Sequence, residues 1–194
     1  MKGRRRGVDL DEALLEAAWA ELTESGYAGL TMEGVAARAG TSRPVLARRW
    51  SGKAELAFAA IRQQMAKSPL VVTDRGDLRM ELLEFLKRAS DRATGIAAAF
   101  TIFTSDYFQE TSTRPQDLRA VLTEGEEKVL GPILDRAVSR GEIDRKKLIP
   151  PITTLLRDLF RYHVIMTFSP PPPALRIAWV DSIFLPLVRT EPEK

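Results

Sequence analysis

The chain has 194 residues, with 29 Lys and Arg against 26 Asp and Glu, a net charge of +3 and no cysteine. This composition is typical of a globular protein, and the lack of cysteine excludes disulfides, thiolate chemistry and cysteine-ligated zinc. The N-terminus lacks the apolar run of a signal peptide, and no stretch approaches the roughly 18 consecutive apolar residues of a membrane span. We therefore expect a soluble, cytoplasmic protein with no membrane partner.

The excess positive charge lies near the N-terminus. Residues 1–67 carry 11 basic and 8 acidic side chains, whereas residues 68–194 carry 18 of each. Within the first region, residues 34–54 contain five basic side chains and neither Asp nor Glu. Clustered positive charge of this kind favours a polyanionic partner.

Apolar residues recur at spacings of three and four along the chain, and this periodicity predicts an all-α protein. Gly26 suits a left-handed cap at the end of the first helix, and Thr31 and Ser42 suit the N-caps of the second and third. Pro44 is tolerated in the first turn of the third helix because an N–H there would have no helical partner. The predicted helices run over about 9–26, 32–39, 42–50 and 51–67.

Turn-forming residues at 68–76 follow these helices, so we expect an N-terminal domain of residues 1–68 and a C-terminal domain of residues 69–194. Four consecutive prolines, residues 170–173, predict a short stiff connector before the last helix. The helices predicted for the C-terminal domain run over about 77–94, 95–109, 116–140, 148–168 and 174–188.

The second and third helices, joined by a tight turn at Gly40, are predicted to form a helix-turn-helix. The second helix of this motif can lie in the major groove of DNA with its N-terminal residues facing base edges. The apolar spacing turns residues such as Val35 and Leu46 inward and leaves basic side chains on the outside. These outward side chains are Arg38, Arg43, Arg48 and Arg49.

The run LTMEGVAARAGTSRPVLARRWSGKAEL, residues 30–56, contains a Thr-capped helix and an Ala-Gly turn. A Ser-capped helix, an aromatic residue and a Lys followed by Leu complete it. With this run, residues 9–56 resemble the DNA-binding domain of the tetracycline-repressor (TetR) family. The resemblance covers about a quarter of the chain. It implies a three-helix DNA-binding domain followed by a larger helical domain for ligand binding and dimerisation.

By this resemblance, Thr31 and Ser42 contact phosphate, and Lys53 contacts the DNA backbone. Trp50 is implied to pack the recognition helix onto its domain. Where the family usually has Tyr, this chain has Ala47, and which arginine of the recognition helix reads bases stays open. The residues assigned to the DNA-binding surface are Thr31, Ser42, Arg43, Pro44, Val45, Arg48, Arg49, Trp50 and Lys53. A minor-groove arm or a disordered tail is predicted for Arg4, Arg5 and Arg6.

The same resemblance implies a ligand-responsive regulator, most often a repressor, that binds a palindromic double-stranded operator as a homodimer. Its inducer should be a small apolar or aromatic molecule, and no cofactor or metal is expected. The predicted ligand pocket is lined by Phe85, Phe100, Phe103, Tyr107 and Phe108. The predicted dimer interface contains Ile152, Leu155, Leu159, His163, Trp179 and Ile183.

Two other classes of protein stay open at this point. A helical protein–protein adaptor would share the apolar helices but would not need the acid-free segment. An enzyme would have to use carboxylates or the single histidine, His163, and the Gly-Lys pair at 52–53 lacks the other residues of a P-loop. We therefore predict a transcriptional regulator rather than an enzyme.

Overall fold

The computed structural model describes residues 8–103, 105, 107, 114, 116, 117, 120 and 126–190. These residues are helical apart from their connections and an isolated antiparallel bridge between Ile143 and Arg189, which confirms the all-α prediction. Two compact units can be distinguished. The first contains Met1–Lys67 and Ala98–Leu122, and the second contains Ser68–Ala97 and Thr123–Lys194. A separate N-terminal domain of residues 1–68 stays a prediction.

The N-terminal helices of the first unit are α1, Val8–Gly29; α2, Met32–Arg38; α3, Arg43–Ala47; and α4, Lys53–Lys67. At Gly26, α1 leaves the helical conformation with φ 65° and ψ −178°, a region that glycine enters without the steric cost of a Cβ. Leu14, Leu22 and Leu56 are among the residues buried between these helices. This apolar core holds the short helices α2 and α3, which are too short to be stable alone.

The third helix is shorter than the sequence predicts. It ends at Ala47 rather than near Trp50. The amide of Arg49 bonds the carbonyl of Leu46 at 2.8 Å, a three-residue turn that tightens the helix end. The recognition segment is therefore a single short helix followed by a turn.

The second unit contains α5, the start of α6 as far as Ala97, and the helices from residue 126 onward. The bounds are α5, Leu78–Ser90; α6, Ala93–Phe103; α7, Glu126–Ser139; α8, Pro150–Thr167; α9, Pro173–Ala178; and α10, Leu185–Val188. A 3₁₀ turn occupies Arg145–Lys147, and a π-helical segment occupies Trp179–Phe184.

Two predicted helix bounds are corrected in this unit. The helix predicted over 77–94 ends at Ser90, because the amide of Arg92 bonds the carbonyl of Ala89 and closes a turn before α6 begins. The last predicted helix contains a π-helical segment in which the Leu185 amide bonds the Val180 carbonyl. Pro186 follows directly and has no N–H for an α-helical bond, which accounts for the wider turn at this point.

Candidate nucleic-acid interface

Thr31 begins the helix-turn-helix as predicted. Its backbone is extended, and its side-chain oxygen accepts a hydrogen bond from the Gly34 amide at 3.0 Å. Met32, Val35 and Ala36 are buried on the inner face of α2. The Thr31 side chain is exposed, so its hydroxyl proton can still be donated to another acceptor.

The recognition helix α3 is anchored by Leu46, which is 0% exposed. Arg43 and Pro44 are exposed at its start, while Val45 is half-buried. Ser42 occupies the N-cap position with an extended backbone, but its side chain makes no capping hydrogen bond. One side of α3 is thus held in the core, and the side that begins with Arg43 is presented to solvent.

Arg38 is exposed, as the sequence predicts, but its guanidinium is paired with two acids. Its Nε donates to Glu21 Oε1 at 2.8 Å, and its Nη1 donates to Glu24 Oε1 at 3.0 Å. Both acids lie on α1. Hydrogen bonds to Glu24 and Glu21 raise the pKa of the Arg38 guanidinium. The pairing fastens α2 to α1 and leaves Arg38 less able to bind DNA.

The guanidinium of Arg49 also forms contacts within the protein. It forms a short ion pair with Asp11 on α1, and its Nη1 donates to the Val45 carbonyl at 3.1 Å. By contrast, Arg48 is exposed and makes no ion pair with any residue that the structure describes. Between these two neighbours, Arg48 is the better placed for DNA.

Arg43 forms an ion pair across the helix-turn-helix. Its Nε lies 2.6 Å from Glu33 Oε1 on α2, and both side chains are largely exposed. An exposed pair of this kind contributes little to stability and is easily broken. Arg43 therefore stays available to a partner that binds it better than Glu33 does.

Lys53 begins α4, as predicted. Its Nζ lies 4.5 Å from the centroid of the Tyr27 ring, a cation–π arrangement that restrains an otherwise flexible side chain. Trp50 is half-buried between α3 and α4 in the chain. The structure thus describes each residue of the predicted DNA-binding surface, whereas Arg4, Arg5 and Arg6 lie outside the described residues.

Sequence reasoning missed the acidic side chains that surround this surface. The segment 34–54 is free of acid in sequence, but helix packing brings carboxylates from α1 and α2 against three of its arginines. The i, i+3 spacing of Glu21 and Glu24 places both on one face of α1, yet their partner could be identified only once α2 had been docked. The acids concerned are Asp11, Glu21, Glu24 and Glu33.

The structure describes some of the predicted ligand-pocket residues, and the pocket that they would line stays a prediction. Phe85 is buried in the second unit and Tyr107 in the first, where each packs as core, while Phe100 is half-buried. The side chain of Phe103 and all of Phe108 lie outside the described residues. A pocket of about 340 Å³ lies elsewhere in the second unit. Its lining residues are Leu130, Gly131, Leu134, Asp135, Arg145, Leu148, Thr153, Thr154 and Arg157.

The structure gives the burial of the predicted dimer residues within one chain, and the interface itself stays a prediction. Trp179 is buried within the protomer and packs edge-on against His163, with ring centroids 6.0 Å apart. Ile183 is exposed, as are Tyr162 and Met166 on α8. The remaining predicted residues, Ile152, Leu155 and Leu159, are half-buried. An apolar stripe therefore stays open on α8 and the last helical segment, although Trp179 belongs to the core beneath it.

Across the described part of the chain, no group of acidic or histidine side chains could hold a metal ion. None of the helices described there is long and apolar enough to cross a membrane.

Comparison with known proteins identifies the family. Residues 14–60 match the sequence model of bacterial regulatory proteins of the tetR family, and residues 72–183 match that of the tetracyclin repressor-like C-terminal domain. An HTH-type transcriptional regulator of Mycobacterium tuberculosis is 30% identical over 172 residues, which cover 85% of this chain and 81% of that protein. A protein of Mycobacteroides abscessus named DNA-binding transcriptional repressor TetR is 29% identical over 188 residues, covering 95% and 96% of the two chains.

The fold agrees with this assignment. A fatty acid degradation regulator from Bacillus halodurans superimposes with a TM-score of 0.69 at 14% identity, covering 94% of this chain and 97% of that one. The family matches do not support the adaptor or the enzyme alternative. With its exposed recognition helix and matches over both regions, the chain belongs to the TetR family and is a DNA-binding transcriptional regulator.

Proposed function

We propose that this regulator is a homodimer that represses transcription from a palindromic operator until a small apolar or aromatic ligand releases it from DNA. The observation that carries the proposal is the geometry of α3. Leu46 is buried and holds the helix, while Arg43 and Arg48 are exposed on it. A short helix anchored on one side and basic on the other suits insertion into the major groove.

We assign base contact to Arg43, because it is exposed at the N-terminus of α3 and its ion pair with Glu33 is accessible to solvent. A bidentate contact with guanine O6 and N7 is the commonest specific contact of arginine. Arg48 and Lys53 are assigned to phosphate, together with the Thr31 and Ser42 hydroxyls. Arg49 is left out of base reading because Asp11 and the Val45 carbonyl hold its guanidinium.

Dimerisation is proposed through the exposed apolar stripe on α8 and the last helical segment. Tyr162, Met166 and Ile183 expose 67%, 62% and 39% of their surfaces, and burial against a second copy would remove this apolar surface from water. Two-fold symmetry would place the two recognition helices about one DNA turn, roughly 34–36 Å, apart. A palindromic operator follows from that symmetry.

A ligand can release the operator only if it binds the non-DNA-binding conformation more tightly than the DNA-binding one. The match of residues 72–183 to the tetracyclin repressor-like C-terminal domain supports a ligand site within that stretch of the chain. The pocket of about 340 Å³ is lined by three leucines, a glycine and five polar or charged side chains, and its volume falls within the size range of ligand sites. We propose this pocket as a site to test with apolar and aromatic compounds.

Repression, rather than activation, is supported by the name of the Mycobacteroides abscessus relative. A regulator that binds chromosomal DNA in a bacterium acts in the cytoplasm, and we propose that location.

The decisive experiment is selection of bound sequences from a random pool of double-stranded DNA at two salt concentrations. Enrichment of an inverted repeat is the expected result, and sedimentation of the complex should give two protomers per repeat. If no sequence is enriched and binding disappears at moderate salt, the basic surface binds only non-specifically and operator recognition is excluded.

A further inference from the structure

Glu33 is the one acidic residue between Leu30 and Ala54, and it lies in the helix-turn-helix itself. It is in the first turn of α2, on the solvent-exposed side, with 67% of its side chain accessible. A carboxylate on a surface that binds a polyanion is unfavourable for affinity, because it repels phosphate. Its presence therefore needs an explanation other than tighter DNA binding.

The contacts of Glu33 exclude a simple structural explanation. The acids that pair with Arg38 and Arg49 lie on α1 and connect it to the helix-turn-helix. Glu33 instead pairs with Arg43, whose side chain is itself 63% exposed. Because both partners are in water, the pair contributes little to the free energy of folding.

We propose that Glu33 determines the specificity of DNA binding by competing with DNA for the Arg43 guanidinium. This inference rests on the proposed function, in which Arg43 reads a base. On unrelated DNA, Arg43 would have to exchange a carboxylate for a phosphate, and the unpaired carboxylate would then face the polyanion. At the operator, a bidentate arginine–guanine contact offsets this cost. Glu33 therefore weakens non-specific binding more than operator binding.

The competition has a defined chemical basis. A carboxylate and a phosphate both accept hydrogen bonds from the arginine fork, so a phosphate offers Arg43 no new kind of contact. A guanine edge offers Arg43 two acceptors, O6 and N7, in the major groove. Only the guanine contact adds recognition beyond the sequence-independent attraction that every phosphate provides.

The test compares Glu33→Gln with Glu12→Gln, which makes the same change of net charge on α1. Glu12 is exposed and forms no ion pair with any residue that the structure describes, so it is a matched control for charge alone. Each variant is titrated with the selected operator and with a scrambled duplex of equal length over a range of salt. Circular dichroism and thermal melting check that both variants are folded.

Relative to Glu12→Gln, we expect Glu33→Gln to tighten scrambled-duplex binding by about two- to fivefold, the scale of an exposed ion pair. Operator affinity should change less, so the ratio of operator to non-specific affinity falls. In an Arg43→Ala background, the difference between the two glutamine variants should vanish, because the competing guanidinium is gone. A partly unfolded variant would bind both duplexes more weakly and cannot imitate this result.

Three outcomes would overturn the inference. Glu33→Gln could match Glu12→Gln on both duplexes, or its effect could persist without Arg43, which would indicate general repulsion. It could also lose preference at one base pair, which would indicate that Glu33 accepts directly from cytosine N4. Failure of the proposed function is distinguishable from all three, because then the wild-type protein would enrich no inverted repeat.

Discussion

Tyr107 packs edge-on against Tyr27, with the ring centroids 5.2 Å apart and the ring planes inclined by 77°. Both side chains are 1% exposed. The same Tyr27 ring also contacts Lys53, whose Nζ lies 4.5 Å from the ring centroid. Nearby, the Tyr27 amide donates to Thr101 Oγ1 at 3.3 Å. Residues from α6 onward thus support the ring above which the proposed phosphate-binding lysine lies.

Tyr107→Ala should destabilise the protein by ~3–5 kcal/mol, the cost of removing a fully buried aromatic ring. Tyr107→Phe keeps the ring and its edge-on contact, so its cost should be much smaller. Urea denaturation followed by circular dichroism measures both. Equal stability losses in the two variants would show that the hydroxyl, rather than the ring, makes the important contact.

Lys53→Ala should weaken binding to every DNA sequence, because a phosphate contact carries no base information. The slope of log affinity against log salt should become shallower by about 0.9, the contribution of one phosphate contact.

Arg43→Ala should instead relax the preference at one operator position by ~1–3 kcal/mol. Binding isotherms on the operator and on single-substituted variants separate the two effects. A uniform loss of affinity in both proteins would contradict the assignment of Arg43 to base reading.

Glu81→Ala should destabilise the second unit strongly. Glu81 is 0% exposed on α5 and pairs with Arg136 and Arg140, whose guanidiniums lie near the end of α7. Removing the carboxylate leaves two cations without their buried partner, and we expect a loss of about 3 kcal/mol, the low end for broken buried pairs. The low end applies because each arginine keeps part of its side chain in water. Thermal and urea unfolding measure the loss. The control is Glu84→Ala, which breaks the pair between half-buried Glu84 and exposed Arg75. A loss no larger than the control's would mean that solvent replaces the buried carboxylate.

Asp181 should make stability depend on acid pH. Hydrogen bonds from Arg79, at 2.7 and 2.8 Å, hold the pKa of the Asp181 carboxyl below its usual value. A carboxyl whose pKa is lower in the folded state stabilises that state above its unfolded pKa of about 3.9, and this contribution disappears as pH falls through the folded pKa. Asp181→Asn should therefore be less stable than wild type near neutral pH, and the difference should vanish in strong acid.

Melting temperatures measured between pH 2 and 7 test this expectation. Arg79→Met is the matching variant, because it removes the partner and should abolish the same pH-dependent difference. A gap between wild type and Asp181→Asn that stays constant at every pH would show that the ionised pair with Arg79 is not its origin.

Ile183→Glu should dissociate the proposed dimer. Ile183 is exposed in the protomer, so the substitution leaves the core intact, but a charge buried at an apolar interface would be strongly unfavourable. Sedimentation equilibrium should give a monomer with unchanged helicity and a weakened affinity for the full inverted repeat. Arg161→Glu, at a half-buried position elsewhere on α8, controls for added negative charge. A dimer that survives Ile183→Glu would place the interface on another surface.

Local sequence chemistry predicts much of the helix-turn-helix. Thr31 caps α2, Gly40 turns the chain with φ 66°, and Pro44 is accepted in the first turn of α3. These features depend on groups within a few residues of one another, so they can be read from the sequence. Helix ends are less predictable, as α3 and the π-helical segment show, because a single hydrogen bond to a carbonyl three or five residues back decides them.

By itself, the sequence determined the all-α fold, the helix-turn-helix and the family, since these depend on local spacing and on residue type. That the arginines of this motif face DNA stays a prediction. Only the tertiary structure decided which of these arginines are already paired with a carboxylate of the protein. Arg38 and Arg49 meet acids that lie 14 to 38 residues away in sequence, and Arg43 meets Glu33 across a turn. Tyr107 likewise meets Tyr27 only after the chain has folded. Such contacts arise from helix packing. It brings together charged and aromatic side chains that are far apart in sequence, so their contact cannot be predicted from sequence spacing.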